Sequence, residues 1–215
     1  MRKIASLLAI TGLVLFFSSC ERGRHDPYPY PTQRSFVDEF TDNRMGWNFA
    51  DPANNAYGSI NSGIYMFDYN DDATEAYYVS KFIGFNRYND FTIYTRIRSN
   101  NNMGLLFGDN SSVGSYGYSF TIDYDGYYAL YDEGGNGYGS DVQTLVEPQT
   151  NPNVARNGNW NELRLEQRGN RWIGFVNDVQ VFNIPAQDLK GTNAGFVDIK
   201  NTEGDADYLQ VDWLE

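Results

Sequence analysis

Downstream of residue 34 the chain alternates. Phe91, Ile93 and Ile97 are separated by Thr92, Tyr94, Arg96 and Arg98, and Tyr116, Tyr118, Phe120, Ile122 and Tyr124 by Gly117, Ser119, Thr121 and Asp123. Near the end Leu209, Val211 and Trp213 interleave with Tyr208, Gln210 and Asp212. A period of two turns one face of each strand toward a core and leaves the other polar. The same reading predicts strands at 35–40, 63–69, 76–85, 102–108, 127–132, 142–146, 161–167, 171–176 and 194–200. Asp125-Gly126 predicts a two-residue hairpin turn that sets Asp123 and Tyr128 on one face, opposite Tyr124 and Tyr127. Asn177-Asp178 predicts another. Segments 133–140 and 147–158, rich in Gly, Asn and Pro, read as loops. Residues 186–190 are expected to make one short helical turn; elsewhere the exported part keeps no helical spacing. About a dozen short strands divided by turn signals define an all-β sandwich or barrel.

The start of the chain follows another pattern. Arg2 and Lys3 precede an apolar run from Ile4 to Phe17, which ends in Ser18, Ser19 and Cys20. As a helix that run covers about 21 Å, short of the roughly 30 Å core of a bilayer. A charged start, a short apolar middle and small residues describe a secretory leader. Cys20, the only cysteine, stands where bacterial lipoproteins carry their lipidated residue, and the stretch resembles a lipobox, with Phe17 in place of the usual Leu. Residues 1–19 are therefore expected to be removed and Cys20 to be acylated; several chains at about 0.8 kcal/mol per buried CH₂ make a stable anchor. Residues 20–33, with Pro27, Pro29 and Pro31 alternating with tyrosine, read as a semi-rigid tether, and 34–215 as the β domain. The expected location is the bacterial cell envelope, lipid-anchored at the outer membrane.

Charge narrows the partners. The chain carries −12, and loss of the leader removes Arg2 and Lys3 but no acid. An acidic surface does not displace counterions from nucleic acid, which excludes that class of partner. With one cysteine no intramolecular disulfide supports the domain, and its length suffices for a core without one.

Several segments carry a family resemblance. These are Phe36-Val37-Asp38-Glu39-Phe40 with Gly46-Trp47, Asn89-Asp90-Phe91-Thr92-Ile93, and Asn102-Met103-Gly104-Leu105-Leu106-Phe107. Trp160-Asn161-Glu162-Leu163-Arg164-Leu165, Gly169-Asn170-Arg171, Val176-Asn177-Asp178 and Val211-Asp212-Trp213 complete the series. In order and spacing the set resembles the laminin G-like and DUF1080-type branches of the concanavalin A-like superfamily. That resemblance implies a jelly-roll sandwich of two curved antiparallel sheets, the concave one often a glycan-binding surface. It also implies a structural Ca²⁺ near the first and last strands, for which Asp38 and Asp212 are the candidate carboxylates.

Chemistry is sparse. His25, the only histidine, lies in the tether, so neither a Ser-His-Asp triad nor a His/Cys zinc site can form in the domain. Gly134-Gly135-Asn136-Gly137 precedes no helical pattern and is not a phosphate loop. Carboxylates remain, because a glycosidase needs only two; Asp123, with Asp132 or Glu133, is the candidate pair. Sugar hydrolases of the DUF1080 type carry Gly-Tyr-Glu-x-Gln where this chain has Gly117-Tyr118-Ser119-Phe120-Thr121, a hydroxyl in place of the acid. Glu162 and Glu166 alternate onto one face with Arg164 and Arg168, an exterior, salt-bridged strand. Saccharide recognition uses flat aromatic faces with planar polar groups beside them. Aromatic residues make up 16% of the chain, and those on polar faces are the candidates: Tyr94 with Arg96, Asp123 with Tyr128, and Trp172. The expected function is a non-catalytic, polysaccharide-binding lipoprotein. The alternatives are a glycoside hydrolase acting through carboxylates near Asp123 and a protein-interaction module of an outer-membrane assembly.

Overall fold

A computed structural model describes residues 31–71, 76–110, 116–134 and 141–215. The leader, Cys20, His25, the tether as far as Tyr30, and Gly135 to Gly137 lie outside the described residues. Five strands come first: β1 (Gln33–Asp38), β2 (Phe49–Asp51), β3 (Ala56–Asn61), β4 (Ile64–Tyr69) and β5 (Ala76–Phe82). The middle of the chain forms β6 (Phe91–Ser99), β7 (Asn102–Asp109), β8 (Tyr118–Asp123), β9 (Tyr127–Asp132) and β10 (Gln143–Thr150). Then follow β11 (Asn161–Arg168), β12 (Arg171–Val176), β13 (Val179–Pro185), β14 (Asn193–Ile199) and β15 (Thr202–Leu214). No helix occurs among the described residues. Residues 186–190, expected to turn helically, instead run as an irregular strap from one sheet to the other.

Two antiparallel sheets result. One is ordered β13-β12-β11-β6-β15-β4-β3-β2, with β1 paired to the second half of β15. The other is ordered β10-β9-β8-β7-β14-β5. This is the all-β jelly-roll sandwich expected from the alternation. Its core lies between the layers: Ile93, Ile97, Leu163, Leu165, Leu209 and Val211 from the first sheet meet Met103, Leu105, Phe107, Phe120, Leu130 and Phe196 from the second. A register shift between Ala206 and Tyr208 inserts one residue into β15, so Ala206 and Leu209 both face inward despite their odd spacing.

Turn chemistry decides which residues share a face. Asn177 and Asp178 both adopt positive φ, 49° and 64°, and join Val176 to Val179 as a two-residue turn. The β8–β9 hairpin departs from expectation. Ile122 pairs with Tyr128, so its loop is three residues, Tyr124 to Gly126, with Gly126 at φ +88° and donating to the Asp123 carbonyl at 3.2 Å. One residue more than expected moves Tyr128 to the opposite face from Asp123.

Asp38 ends β1 and organises the first corner. Its Oδ1 accepts from the Phe40 amide at 3.0 Å and its Oδ2 from the Trp47 indole at 2.9 Å, both buried. These bonds hold Phe40 at φ +52°, an uncommon value for a bulky residue, with its ring edge-on to Trp47. Asp38→Ala would orphan two buried donors, and chemical denaturation should show a loss of about 2–3 kcal/mol. A loss within error would mean that water replaces the carboxylate.

Candidate functional site

The outer face of the six-stranded sheet is the place where polar groups converge. Strand parity puts Tyr78 and Ser80 of β5, Gly195 and Val197 of β14, Gly104 and Leu106 of β7, Ser119 and Thr121 of β8, and Ala129 of β9 on that face. Leu106, Val197, Ala129, Ser119 and Thr121 are buried although they point away from the interlayer core. The reason is curvature. Tyr78 Oη donates to Glu133 Oε2 at 2.8 Å, although β14, β7 and β8 lie between β5 and β9. Four strand spacings span roughly 19 Å in a flat sheet, beyond the combined reach of a Tyr and a Glu. The sheet therefore curls into a trough, and the Tyr78–Glu133 bridge crosses it.

Glu133 follows the last residue of β9, and its amide is tied to the Gly117 carbonyl at 3.0 Å. Only 7% of it is exposed. Its second oxygen accepts from the Ser119 hydroxyl. Burial pushes the carboxyl above the usual carboxylate range, opposed in smaller measure by the Ser119 and Tyr78 hydrogen bonds and by Lys190. Burial, then Glu133, likewise pushes the Tyr78 phenol up. Lys190 pins this end of β9 by bonding Asp132 and the Gly134 carbonyl.

A second polar group sits on the same face. Asp109, at the end of β7, accepts from the Ser80 hydroxyl and from Asn193 Nδ2 at 3.3 Å. It borders a cleft of about 300 Å³ whose walls include Phe49, Tyr77, Tyr78, Ser80, Lys81 and Tyr116. Phe49 and Tyr77 stack in parallel with centroids 5.6 Å apart, and Tyr78 and Tyr116 stack at 4.5 Å with their planes inclined by 29°. Gly58 makes room for Phe49, since a Cβ there would come within 2.3 Å of the ring. Aromatic walls with a carboxylate and hydroxyls beside them suit a small polar ligand with an apolar face.

The residues singled out from sequence do not gather here. Tyr94 and Arg96 lie on the outer face of the other sheet, where Arg96 pairs with Asp207 and stacks 5.0 Å from the Trp160 ring. Trp172 is in the core, 0% exposed, because β12 turns Trp172, Gly174 and Val176 inward. Tyr128 is also in the core, its hydroxyl on the Val181 carbonyl at 2.8 Å. Asp123 caps its own hairpin, accepting from the amides of Asp125 and Tyr127. It is not part of a carboxylate pair with Glu133. The Asp38 and Asp212 carboxylates point to opposite faces, since Asp38 pairs with Leu209 and Ser35 with Asp212. Asp38 is occupied by two N–H donors, and Asp212 accepts from Ser35 and Gln210. They do not fit a shared Ca²⁺, and no cluster of three acidic, His or Cys ligands occurs among the described residues. Glu166 does bond both Arg164 and Arg168, as an exterior strand should.

Two curved antiparallel layers, the smaller with a polar trough on its outer face, form a jelly-roll sandwich. Residues 80–211 match the 3-keto-alpha-glucoside-1,2-lyase-like domain, and the chain belongs to that family. The matched span contains Asp109, Ser119, Glu133 and Asn193. No curated protein matches the chain. Among solved structures, the CBM2 module of the evolved Dit of Lactobacillus casei BL23 phage J-1 shares 12% identity with a TM-score of 0.54, over 86% of this chain and 97% of that one. A structure described under endo-acting O-glycanases of human gut microbiota that initiate mucin breakdown shares 12% at 0.52, over 84% and 99%. The GlcNAcα1-4Gal-releasing endo-β-galactosidase from Clostridium perfringens shares 10% at 0.50, over 85% and 62%. These likenesses establish the fold alone.

Proposed function

We propose that the domain binds saccharide in the trough of the six-stranded sheet and does not cleave it, held at the bacterial envelope by an acylated Cys20 and its tether. One observation carries this reading: aromatic side chains of β2 and β5 border a single cleft together with Asp109 and Ser80. Rings take the C–H face of a sugar, and the Asp109 carboxylate and Ser80 hydroxyl take its hydroxyls. Both buried carboxylates already accept hydrogen bonds from protein groups, which favours holding over proton transfer.

A second reading has its own support. The resemblance expects a glutamate where Ser119 stands, and Glu133 brings a carboxylate to Ser119 from the neighbouring strand. Burial keeps that carboxyl protonated to higher pH, as a general acid requires. The two readings separate in one experiment. Polysaccharides and disaccharides are titrated against the protein, with released sugar assayed in parallel. Tyr78→Ala should weaken binding about tenfold, with no sugar released by the wild type. Release that falls at least about a hundredfold in Glu133→Gln establishes the acid instead. Silence across the panel from folded protein removes both.

A further inference from the structure

The end of the sandwich that carries Asp109, Glu133 and Asn193 holds a second depression, of about 550 Å³. It opens between the β5–β6 loop, the β11–β12 turn and the strap that follows β13. Its wall includes Tyr88, the most exposed large hydrophobic side chain described, at 80%. An exposed tyrosine on a loop is normally free to rotate; this one is held. The Arg87 guanidinium lies over one face of its ring at 5.0 Å and donates to its hydroxyl at 2.8 Å. Arg87 is itself anchored on the Leu189 carbonyl at 2.8 Å, and the Tyr88 amide on Asn86 Oδ1 at 3.0 Å.

Other planar polar groups share the lining. The side chains of Asn170 and Asp188 have no hydrogen bond among the described residues, and Gln187 uses one N–H on the Pro185 carbonyl at 3.0 Å. Gln167 is fully engaged, accepting from Trp172 and donating to the carbonyls of Asn89 and Arg87, which fixes one wall. The chemistry is selective. The Arg87 guanidinium spends N–H donors on a carbonyl and a phenol, and Asp188 in the same lining sets a negative charge against a bound phosphate. The polar lining does not suit an acyl chain or an apolar peptide face. A rigid aromatic ring with one open face, in a depression that also presents a free amide and a free carboxylate, fits a pyranose ring: axial C–H groups against the tyrosine, hydroxyls toward Asn170 and Asp188.

We infer that this depression is a second saccharide-binding subsite, distinct from the trough and taking one pyranose unit of a neutral glycan on Tyr88. The ligand class is that of the proposed function, but the residues are different, so the two can fail separately. The test follows backbone and side-chain amide resonances of the full chain during millimolar titration with maltose, cellobiose, lactose and N-acetyllactosamine. Saturable shifts of the Tyr88, Asn170 and Gln187 amides with at least one sugar are expected. They should persist in Tyr78→Ala and in Tyr88→Phe, and affinity should weaken about tenfold or more in Tyr88→Ala. Tyr88 packs against no core residue, so the melting temperature of Tyr88→Ala should match the wild type. Shifts confined to the trough overturn the second subsite and leave the proposed function standing. Shifts confined to the Tyr88 depression do the reverse. No shift at either place with all four sugars overturns the subsite, as does an unchanged affinity in Tyr88→Ala.

Discussion

Trp172→Ala should lower the stability of the domain by about 3–5 kcal/mol, the largest loss expected from any single side chain described here. The indole is wholly buried and meets Phe107 and Tyr118 edge-on, with centroids 5.2 Å and 4.7 Å away. Removing it deletes those contacts and leaves a cavity that residues from two sheets cannot close by small shifts. It also orphans Gln167 Oε1, which accepts the indole N–H at 3.0 Å. Gln167 is the residue that ties down the carbonyls of Arg87 and Asn89, so the damage extends into the β5–β6 loop. For a domain of this size the loss corresponds to a melting temperature lowered by roughly 10 °C. Trp172→Phe, which keeps a ring against Phe107, should recover about half. Urea titration measures both, and a loss below 1 kcal/mol for the alanine variant would show that the indole is not the keystone its contacts indicate. Saccharide binding in the trough should survive in the folded fraction, because Trp172 points away from it.

The same tryptophan shows what alternation does and does not disclose. Arg171-Trp172-Ile173-Gly174-Phe175-Val176 is apolar on both parities, so the pattern locates a strand without saying which face is inside. The choice belongs to the partners: Phe182 of β13 fills the space above Gly174, where a Cβ would come within 2.2 Å of its ring, and Ile173 and Phe175 are left on the outer surface. Strand positions were legible wherever β-branched and aromatic residues alternate with polar ones. They were not legible for β2 and β3, whose Ala, Gly, Ser and Asn have weak strand preference; β3 is held by pairing with β4, and β2 by pairing with β3. One extra loop residue after Asp123 sufficed to split the Asp123–Tyr128 pair.

The candidate site was less visible for a different reason. Glu133 was within view as a possible acid, but Tyr78 lies 55 residues away and meets it only because the sheet is ordered β9-β8-β7-β14-β5 and strongly curled. Gly104 and Gly195 mark the floor of that curl. A Cβ on Gly195 would fall 2.0 Å from the Val79 carbonyl, so neighbouring backbones approach closely there. Glycines at such positions, flanked by alternating apolar residues, are the one local sign of a trough that the sequence contains. Which side chains bridge it depends on strand order, and strand order is a property of the whole chain.

Asp198 gives the second large effect, and its sign is unusual. It lies on β14, wholly buried, and among the described residues neither carboxyl oxygen has a hydrogen-bond partner, nor does the nearby Tyr65 hydroxyl. Burial, then the charges of Asp68 and Asp205, pushes its pKa well above the carboxylate range. In the folded protein the group therefore keeps its proton at pH values where the unfolded chain, with an ordinary carboxylate near 3.9, has released it. The native state binds the extra proton, so this residue's contribution is intact below about pH 4. It is lost as pH rises toward the elevated folded value, by about 1.4 kcal/mol per pH unit for one proton. Most carboxylates that matter to a fold act in the opposite sense. Asp198→Asn removes the titration while keeping size and polarity. Relative to wild type, the variant should gain stability steadily above about pH 5, with little difference in acid. Urea unfolding of both proteins across that range reads the difference directly, which cancels the titration of the other acids. A difference that stays flat with pH would mean that the buried carboxyl is charged in the native state or hydrated by water that the protein admits between its layers.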